Sequence, residues 1–319
     1  MAENLTLSRP GAQNLGSDPA KMFRDVFTGE VLTAFDEHNI MKDWHKMRTI
    51  THGKSASFAV MGRANARYHT AGEAILGSNK IAANERTINV DNLLIADVAI
   101  YDLEDAMNHY DVRREYSKQL GVALAKRFDE TTMRVAVLAA RSSGIIDDEP
   151  GGSVIKGGAT LATDGELLAE AVFSCSQTFD EKDVPEQERC LVLRPAQFYL
   201  LNQTTKVLNR DWLGAGSYSD GKLDKIAGIK ILMSNHLPNK NIASAVDGEK
   251  NTYYGDFTNT LGLCMQSIAT VKLKDLTIQQ SGPDFNIVYQ STLMVAKYAM
   301  GHGILNPSFA IELSTAAKA

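Results

Sequence analysis

The longest unbroken hydrophobic pattern in the chain runs from Asp102 to Ser142. Apolar residues recur there at intervals of three and four without an internal proline, which predicts one amphipathic helix. At about 1.5 Å per residue it would be roughly 60 Å long, far beyond an average globular helix. Asp102 and Asp105 are suited to cap its first turn, and Ser142 to Gly144 mark its end. The last turns are apolar on nearly every side, so this end should be buried.

The chain begins with a polar segment that carries one apolar patch. Residues 1 to about 20 contain prolines and glycines and have the composition of a flexible arm. Apolar residues at helical spacing then predict a short helix over residues 22–35. A segment with a single apolar side needs a surface to lie against.

A two-stranded flap is predicted between this arm and the long helix. Residues 43–63 and 87–101 have strand-like patterns. Residues 62–86 hold few large apolar side chains, and so long a connection is uncommon in a compact domain unless it is functional or disordered. Residues 45–100 are therefore predicted to reach outward, and such a ribbon should gain its stability from a neighbour.

The segment after the long helix predicts a small mixed domain. Pro150 and the glycines at 151, 152, 157 and 158 mark a turn-rich linker. The predicted elements that follow are a helix over 164–179, a strand over 190–193, a helix from Pro195 to about 208 and a strand over 229–233. Residues 238–255 form a polar excursion.

The C-terminal part is predicted to be β-structure. Its expected strands are residues 261–268, 271–278 and 285–300, with a closing strand over 309–313. At about 3.3 Å per residue the third strand could reach roughly 50 Å. A turn that contains Gly301, His302 and Gly303 should precede the closing strand, so His302 is interpreted as a turn residue rather than a catalyst.

Composition limits the classes of function. The 319 residues are 44% hydrophobic and 22% charged, which suits one large or two modest domains. A net charge of -5 and a pI of about 5.8 argue against a protein that grips a phosphate backbone. Three scattered cysteines in apolar contexts, Cys175, Cys190 and Cys264, favour a reducing compartment over a disulfide framework. No apolar h-region or membrane-spanning run is present in the sequence, so we expect neither secretion by that route nor membrane insertion.

Two glycine-containing segments are candidate nucleotide sites. Gly53, Lys54 and Ser55 resemble the end of a phosphate loop, but the pattern requires glycine where this chain has Arg48. The glycines at 151, 152, 157 and 158 follow no clear strand-to-helix context, and a linker is the simpler interpretation. Neither segment predicts a nucleotide.

Acidic and histidine residues are dense only at the start of the long helix. Asp105 and His109 are four residues apart and suited to share a metal, within a cluster that also includes Asp102, Glu104 and Asp111. Acids are favoured at a helix N-terminus for capping and dipole reasons, and we prefer that interpretation. Asp147, Asp148 and Glu149 are interpreted as a solvated loop. With no serine in a nucleophile elbow and no cysteine next to a histidine, the sequence predicts no catalytic, cofactor-binding or metal residues.

Much of the chain is instead predicted to form elements that protrude. Such elements, namely an arm, a flap, an unusually long helix and an unusually long strand, can provide contact area between copies of the chain. Heterologous contacts of this kind close into rings or shells when the rotation permits. Self-assembly is therefore the physical interpretation.

Four segments resemble the major capsid proteins of T-seven-like short-tailed phages. They are Gly29–Phe35 (GEVLTAF), Gly53–Ser55 (GKS), Ile100–Val112 (IYDLEDAMNHYDV) and Ala296–Gly303 (AKYAMGHG). They occur in the family's order and span residues 23–305, whereas residues 145–255 match only in their broader arrangement.

The resemblance implies an α+β chain with the Hong Kong 97-type capsid fold. It assigns residues 1–44 to an N-terminal arm and 45–100 to an extended loop. Residues 101–159 and 263–319 would form the peripheral domain with its spine helix at about 102–142, and residues 160–262 the axial domain. No cross-linking lysine or asparagine is carried over from other relatives.

The resemblance further implies a structural protein and not an enzyme. Hexamers and pentamers of the chain would build an icosahedral shell around packaged double-stranded DNA, through a scaffolded procapsid that expands on packaging. The expected partners are other copies, a scaffolding protein and a portal protein, with a decoration protein left open, and no membrane. The expected location is the virion, after assembly in the bacterial cytoplasm.

Two other hypotheses stay open on the sequence. The first is another self-assembling phage protein, such as a tail tube component. The second is a small α/β enzyme with an unrecognised site.

Overall fold

The computed structural model describes most of the chain. The described residues are 28, 30–35, 38–64, 66–72, 74–75, 77, 81–101, 112–146, 149–204, 225–246, 248–266 and 269–317. The chain divides into two compact units. Unit 1 comprises Met1–Asn39, Leu93–Phe128 and Lys274–Ala299, and unit 2 comprises Ile40–Asn92, Asp129–Leu273 and Met300–Ala319.

The regular elements are numbered in chain order. The helices are α1 (Val112–Ala140), α2 (Gly165–Glu181), α3 (Pro195–Asn202) and α4 (Pro283–Tyr289). The strands are β1 (Lys46–Thr49), β2 (Ser55–Met61), β3 (Ala83–Asn89), β4 (Leu94–Tyr101), β5 (Ser153–Lys156), β6 (Cys190–Leu193), β7 (Lys225–Ile226), β8 (Ile229–Met233), β9 (Asn241–Ile242), β10 (Gly255–Asp256), β11 (Thr260–Met265), β12 (Ala269–Gln280), β13 (Ser291–Gly303) and β14 (Ala310–Ser314).

The predicted long helix is confirmed from Val112 to Ala140. Residues 102–111 lie outside the described residues. In unit 1, a Cβ added at Gly121 would lie 2.7 Å from the Val31 carbonyl oxygen, so the glycine lets helical residues 31–35 pack closely on α1. The apolar end is buried as expected, with Met133, Val135, Ala136, Val137, Ala139 and Ala140 all inside unit 2.

The sheet of unit 1 is built on the pairing of β4 with β13. The two strands are antiparallel from Ser291 opposite Tyr101 to Tyr298 opposite Leu94. Alternate residues of β13 point to one buried face, where the Tyr298 hydroxyl donates to the Leu124 carbonyl 3.4 Å away. The Phe35 ring packs edge-on against both Phe128 and Tyr298. Helix and sheet therefore share one aromatic core in unit 1.

The prediction of a single strand over residues 285–300 is wrong at its start. Residues 283–289 form helix α4, which Pro283 opens at a position where its missing N–H is not needed. The left-handed residue Gln290, with a φ of 49°, ends the helix, and β13 begins at Ser291. The alternating apolar pattern did not separate a short helix from a strand end.

A six-stranded mixed sheet forms the core of unit 2. Its strand order is β5-β14-β11-β6-β8-β7, with β11 antiparallel to both β14 and β6. The buried side of α2 packs on it through Leu168, Val172, Cys175 and Phe179. The Asp164 carboxylate caps α2 by accepting from the Glu166 and Leu167 amides, so the predicted helix is confirmed from its first residue.

The three cysteines are free thiols inside this core. Cys175, Cys190 and Cys264 are all fully buried. Burial raises the pKa of both the Cys190 and the Cys264 thiols. They behave as small hydrophobic residues, in agreement with the apolar contexts in the sequence.

Two further predictions in unit 2 are corrected. The glycine-rich stretch at 150–158 contains strand β5, whose four residues pair in parallel with β14 from far along the chain. A strand of four residues between glycines gives too little alternation to be recognised. Helix α3 ends at Asn202 rather than near residue 208, and residues 205–224 lie outside the described residues.

Candidate functional site

The hairpin of β2 and β3 is a two-stranded sheet of its own within unit 2. It is antiparallel over seven pairs, from Ser55 opposite Asn89 to Met61 opposite Ala83. Strand β3 thus begins at Ala83, four residues earlier than predicted, because the Ala-Asn-Glu-Arg sequence carries little hydrophobic signal. The two-stranded ladder is confined to these residues, since β1 pairs with β12 and β4 with β13.

Between the two strands, residues 62–82 contain no helix or strand among those described. Large apolar side chains are exposed there, including Tyr68 at 105% and Ile75 at 76% of full exposure. In monomeric proteins a contiguous patch of such side chains usually marks a surface that binds something. This segment, residues 62–82, is called the loop segment below.

Polar contacts tie the start of the loop segment to the rest of unit 2. The Arg63 guanidinium lies 2.7 Å from the Asp183 carboxylate and donates to the Lys182 carbonyl at 3.2 Å. The Asn84 amide donates to the Ile145 carbonyl at 2.9 Å. Both members of the ion pair are largely exposed, so it is worth at most about 1 kcal/mol.

A denser hydrogen-bond network holds the other end of the hairpin. Tyr253 donates its hydroxyl to Asp91 Oδ2 at 2.6 Å, and the Lys250 amide donates to Asp91 Oδ1 at 2.8 Å. The Asn251 side chain donates to the Asn89 carbonyl at 2.7 Å and accepts from the Asn89 amide at 3.1 Å. We call these five residues (Asn89, Asp91, Lys250, Asn251 and Tyr253) the clasp.

The clasp encloses the Asp91 carboxylate. Burial disfavours the ionised form of this carboxylate. Burial raises the pKa of Asp91, although hydrogen bonds from Tyr253, Lys250 and Asn251 oppose the rise. Burial and the Asp91 charge raise the pKa of Tyr253, so its hydroxyl remains a donor. The network therefore fixes where the hairpin joins the rest of unit 2.

The clasp rests on β13, where two glycines allow the hairpin to approach. A Cβ at Gly301 would overlap the Asn89 carbonyl, and one at Gly303 would lie 2.5 Å from Ile88 Cγ1. These glycines are therefore strand residues with close backbone neighbours, and the predicted turn at 301–303 is wrong. Both glycines are explained by close packing against the hairpin. The sequence alone does not reveal this packing.

His302, between these glycines, is a buried strand residue. Its amide donates to the Tyr253 hydroxyl oxygen at 2.8 Å, and its Nδ1 lies 3.0 Å from Thr270 Oγ1. Burial lowers the pKa of His302 to about 3, with a smaller contribution from His45. The imidazole is thus neutral at physiological pH and supports the fold, so its interpretation as a turn residue is corrected.

Two buried carboxylates, those of Asp129 and Glu312, stabilise unit 2. Asp129 accepts from the amides of Ile40 and Met41, both at 3.1 Å, and lies 3.2 Å from His236 Nδ1. Arg141 forms two short bonds to the Glu312 carboxylate, of 2.6 and 2.7 Å. These pairs join distant parts of the chain.

The two glycine segments serve the backbone rather than a nucleotide. Gly53, with a φ of 113°, turns the chain between β1 and β2, and the Lys54 carbonyl accepts from the Val90 amide at 2.8 Å. A phosphate loop would lead into a helix, whereas this turn leads into a strand. A Cβ at Gly152 would overlap the Ala139 carbonyl at the end of α1. Close packing therefore explains that glycine.

The acidic candidates are only partly visible. The cluster at 102–111 and the pair Asp147 and Asp148 lie outside the described residues, while the Glu149 amide closes a turn onto the Ile146 carbonyl. Among the described residues no three His, Cys, Asp or Glu side chains are grouped to hold a metal. Within the same part of the chain, no helix is both long and apolar enough to cross a membrane.

Sequence reasoning missed the clasp. Asp91 and Asn251 are 160 residues apart, and neither stands in a recognisable motif. The only local signal was the Asp91-Asn92 pair between two strand patterns, which is typical of any turn.

The sequence comparisons point to one family. A family model described as Gp10A-like: Major capsid protein matches residues 57–314. The chain is 32% identical to the major capsid protein of Escherichia phage T7, over 95% of this chain and 97% of that protein. It is 30% identical to the major capsid protein of Enterobacteria phage T3, over 94% and 96%.

The structural comparisons agree. The capsid structure of the cyanophage P-SCSP1u matches with a TM-score of 0.82 and 41% identity, over 99% of this chain and 100% of that chain. The mature capsid of bacteriophage PhiM1 matches with a TM-score of 0.72 at 16% identity, over 88% of both chains. A virus-like particle from Pyrococcus furiosus shares the fold at 14% identity, with a TM-score of 0.57 over 92% of this chain and 99% of that chain.

Proposed function

The chain belongs to the Gp10A-like family of major capsid proteins, and we propose that its copies form the hexamers and pentamers of an icosahedral phage shell. It is a structural capsid protein with the α+β Hong Kong 97-type fold. The observation that carries the proposal is the full-length match to the P-SCSP1u capsid chain at 41% identity.

The proposal assigns the chain's parts to four roles. Residues 1–44 are the N-terminal arm and 45–100 the extended loop that holds the hairpin. Residues 101–159 and 263–319 form the peripheral domain, and 160–262 the axial domain. The hairpin, with its exposed apolar loop segment, supports the second role because its isolated ladder has little core of its own.

Assembly in this proposal proceeds through a procapsid. A scaffolding protein shapes it in the bacterial cytoplasm, and packaging of double-stranded DNA through a portal expands it. A decoration protein is a further candidate partner. The net charge of -5 supports a wall that encloses DNA without adhering to it, and catalysis has no part in this function.

Electron microscopy of the purified full-length protein tests the proposal. Icosahedral particles, or rings of five and six copies, are the expected result. Tubes would favour a tail component instead. A discrete small oligomer that turns over a substrate would favour an enzyme, and either outcome would overturn the proposal.

A further inference from the structure

The six residues before β1 are held in unit 2 by polar contacts. The Asp129 carboxylate of α1 accepts from the amides of Ile40 and Met41, both at 3.1 Å. The His45 Nδ1 donates to the Met41 carbonyl and so closes the segment on itself. Met41 is completely buried. We call residues 40–45 the anchor.

Burial keeps His45, at the end of the anchor, in its neutral form. Because a carbonyl oxygen can only accept, the bond to Met41 places the proton of the neutral ring on Nδ1. Burial lowers the pKa of His45, although the Met41 carbonyl and the charges of Asp129 and Asp43 oppose the fall. An added proton on this ring is therefore disfavoured in the folded chain.

A second buried histidine, His302 on β13, is close enough to His45 for a charge on one ring to act on the other. Its Nδ1 lies 3.0 Å from Thr270 Oγ1 and 3.4 Å from Thr132 Oγ1, and its amide donates to the Tyr253 hydroxyl oxygen within the clasp. None of these hydroxyl groups carries a charge that would offset an added proton. Protonation of both rings would thus place two positive charges close together in the core.

The Asp129 side of the anchor responds differently to acid. His236 Nδ1 lies 3.2 Å from Asp129 Oδ2, so a protonated His236 would be attracted to this carboxylate. The same carboxylate holds the amides of Ile40 and Met41. Acid therefore favours this attachment, whereas it opposes the one at His45.

We propose that His45 and His302 form an acid-sensitive catch: when both take up protons, residues 42–45 detach from unit 2 while Ile40 and Met41 stay bound to Asp129. Detachment moves His45 into water, separates the two charges and opens the site of His302. The catch is a local opening of the subunit rather than its global unfolding. It goes beyond the shell function and does not depend on it.

Proton linkage gives the direction of the change. An ordinary histidine has a pKa of about 6.5, above the lowered pKa values of His45 and His302 in the folded chain. The anchored form is therefore fully favoured above about pH 6.5 and is lost as the pH falls. With two histidines involved, the ratio of detached to anchored segment should rise by up to about a hundredfold per pH unit.

Trp44 reports on the anchor directly. It lies in the short 3-10 helix Lys42–Trp44, with the Lys230 ammonium 5.7 Å from its ring centroid. The other tryptophan of the chain is Trp212, so Trp212→Phe leaves one fluorescent reporter. Between pH 7.5 and 4.5, the emission of the unassembled full-length subunit should shift to longer wavelength because the indole enters water. The far-ultraviolet circular dichroism should stay unchanged over the same range.

Three histidine variants test which groups are responsible. His45→Gln and His302→Gln should each lower the midpoint pH of the emission change and reduce its steepness to about tenfold per pH unit. His52→Gln, at an exposed position of the same unit outside the anchor, is the matched control and should behave like the parent chain. His45 is only half-buried, so its variant tests the catch also where His302→Gln does not fold.

Hydrogen exchange of the wild-type chain checks the same point without a substitution. After correction for the intrinsic effect of pH, residues 42–45 should exchange faster at pH 5 than at pH 7.5, while the Ile40 and Met41 amides stay protected. An absent emission change, an unaltered change in His45→Gln, or loss of circular dichroism at the same pH would each overturn the catch. Equal exchange of Met41 and residues 42–45 would do so as well.

Discussion

At the residue scale, buried polar side chains hold the hairpin against the rest of unit 2. Asp91 and Tyr253 meet at 2.6 Å, and Tyr253 also accepts from the His302 amide. A buried acceptor that loses its donor costs more free energy than the net value of the bond. The loss of one of these few hydrogen bonds should therefore have a large effect on how the hairpin is held.

Removing one hydroxyl tests the clasp. We expect Tyr253→Phe to lower the free energy of unfolding of the unassembled subunit by about 1–3 kcal/mol, because the Asp91 carboxylate loses a buried donor. Tyr254→Phe, at the neighbouring and more exposed position, should change it by less than about 0.5 kcal/mol. Urea denaturation measures both, and equal effects would argue against the clasp.

His302 predicts a dependence of stability on pH. Its pKa is about 3 in the folded chain against an ordinary value of 6.5, so the unfolded chain binds the proton more readily. The stability it contributes is fully present above pH 6.5 and is lost as pH falls toward 3, at about 1.4 kcal/mol per pH unit. Urea unfolding between pH 7.5 and 4.5 should show this slope.

The control for this pH dependence is a variant in which the side chain at position 302 cannot titrate. His302→Gln should retain a polar contact with Thr270 and reduce the slope by about one proton, whatever its effect on absolute stability. His45, whose pKa burial also lowers, contributes to what remains. An unchanged slope in the variant would exclude His302 as the group responsible.

At the element scale, two features decide how α1 and the hairpin behave. Gly121 brings residues 31–35 against α1, and the hairpin contacts the rest of unit 2 mainly near its two ends, with one further contact from Arg48 to the Ser57 carbonyl. The first is a packing constraint that costs helix propensity. The second leaves the loop segment free to contribute to something other than the fold of its own chain.

The substitution Gly121→Ala has two opposing effects on the stability of α1. Helix propensity favours alanine by about 1 kcal/mol, but the added Cβ would lie 2.7 Å from the Val31 carbonyl oxygen and 2.8 Å from Ala34 Cβ. Overpacking of this kind costs about 1–3 kcal/mol, so we expect net destabilisation in thermal unfolding. Lys118→Ala, exposed on the same helix, is the control and should be neutral or slightly stabilising.

Shortening the loop segment separates folding from assembly. Replacing residues 64–81 with an Asn-Gly turn keeps Arg63 and the β2–β3 ladder. We expect the melting temperature of the unassembled subunit to change by less than about 2 °C, because the removed residues add little core. Particle formation should be abolished. A large fall in melting temperature would instead make the segment part of the subunit's own fold.

At the scale of the whole molecule, the chain belongs to a family whose members make capsids, and its exposed surfaces suit contact with further copies. Residues 164–189 carry a net charge of -6 and residues 46–86 a net charge of +5 in the same chain. The chain's net charge of -5 conceals this asymmetry.

Protease access should report that association. Trypsin is expected to cut after Arg67 in the unassembled subunit, because the residue and its neighbours are exposed and outside regular structure. In assembled particles the same bond should be protected at least about tenfold, since the segment is covered by a neighbour. Mass spectrometry of the fragments checks both, and equal cutting rates would show that the segment stays uncovered in the shell.

The sequence by itself determined the features that follow from local pattern. Heptad-like spacing gave the long helix, Asp164 and Pro195 gave two helix starts, and a lack of apolar residues marked the loop segment. The order of four short motifs was sufficient to identify the family, because a shared fold keeps such motifs in register along the chain.

Only the tertiary structure decided the clasp, the partners of β1 and β5, and the buried state of His302. Asp91 meets Tyr253 across 162 residues, and no periodicity in either segment encodes that distance. The physical reason is that hydrogen bonds and close glycine packing depend on which surfaces the folded chain brings together, whereas hydrophobic spacing is written into each element separately.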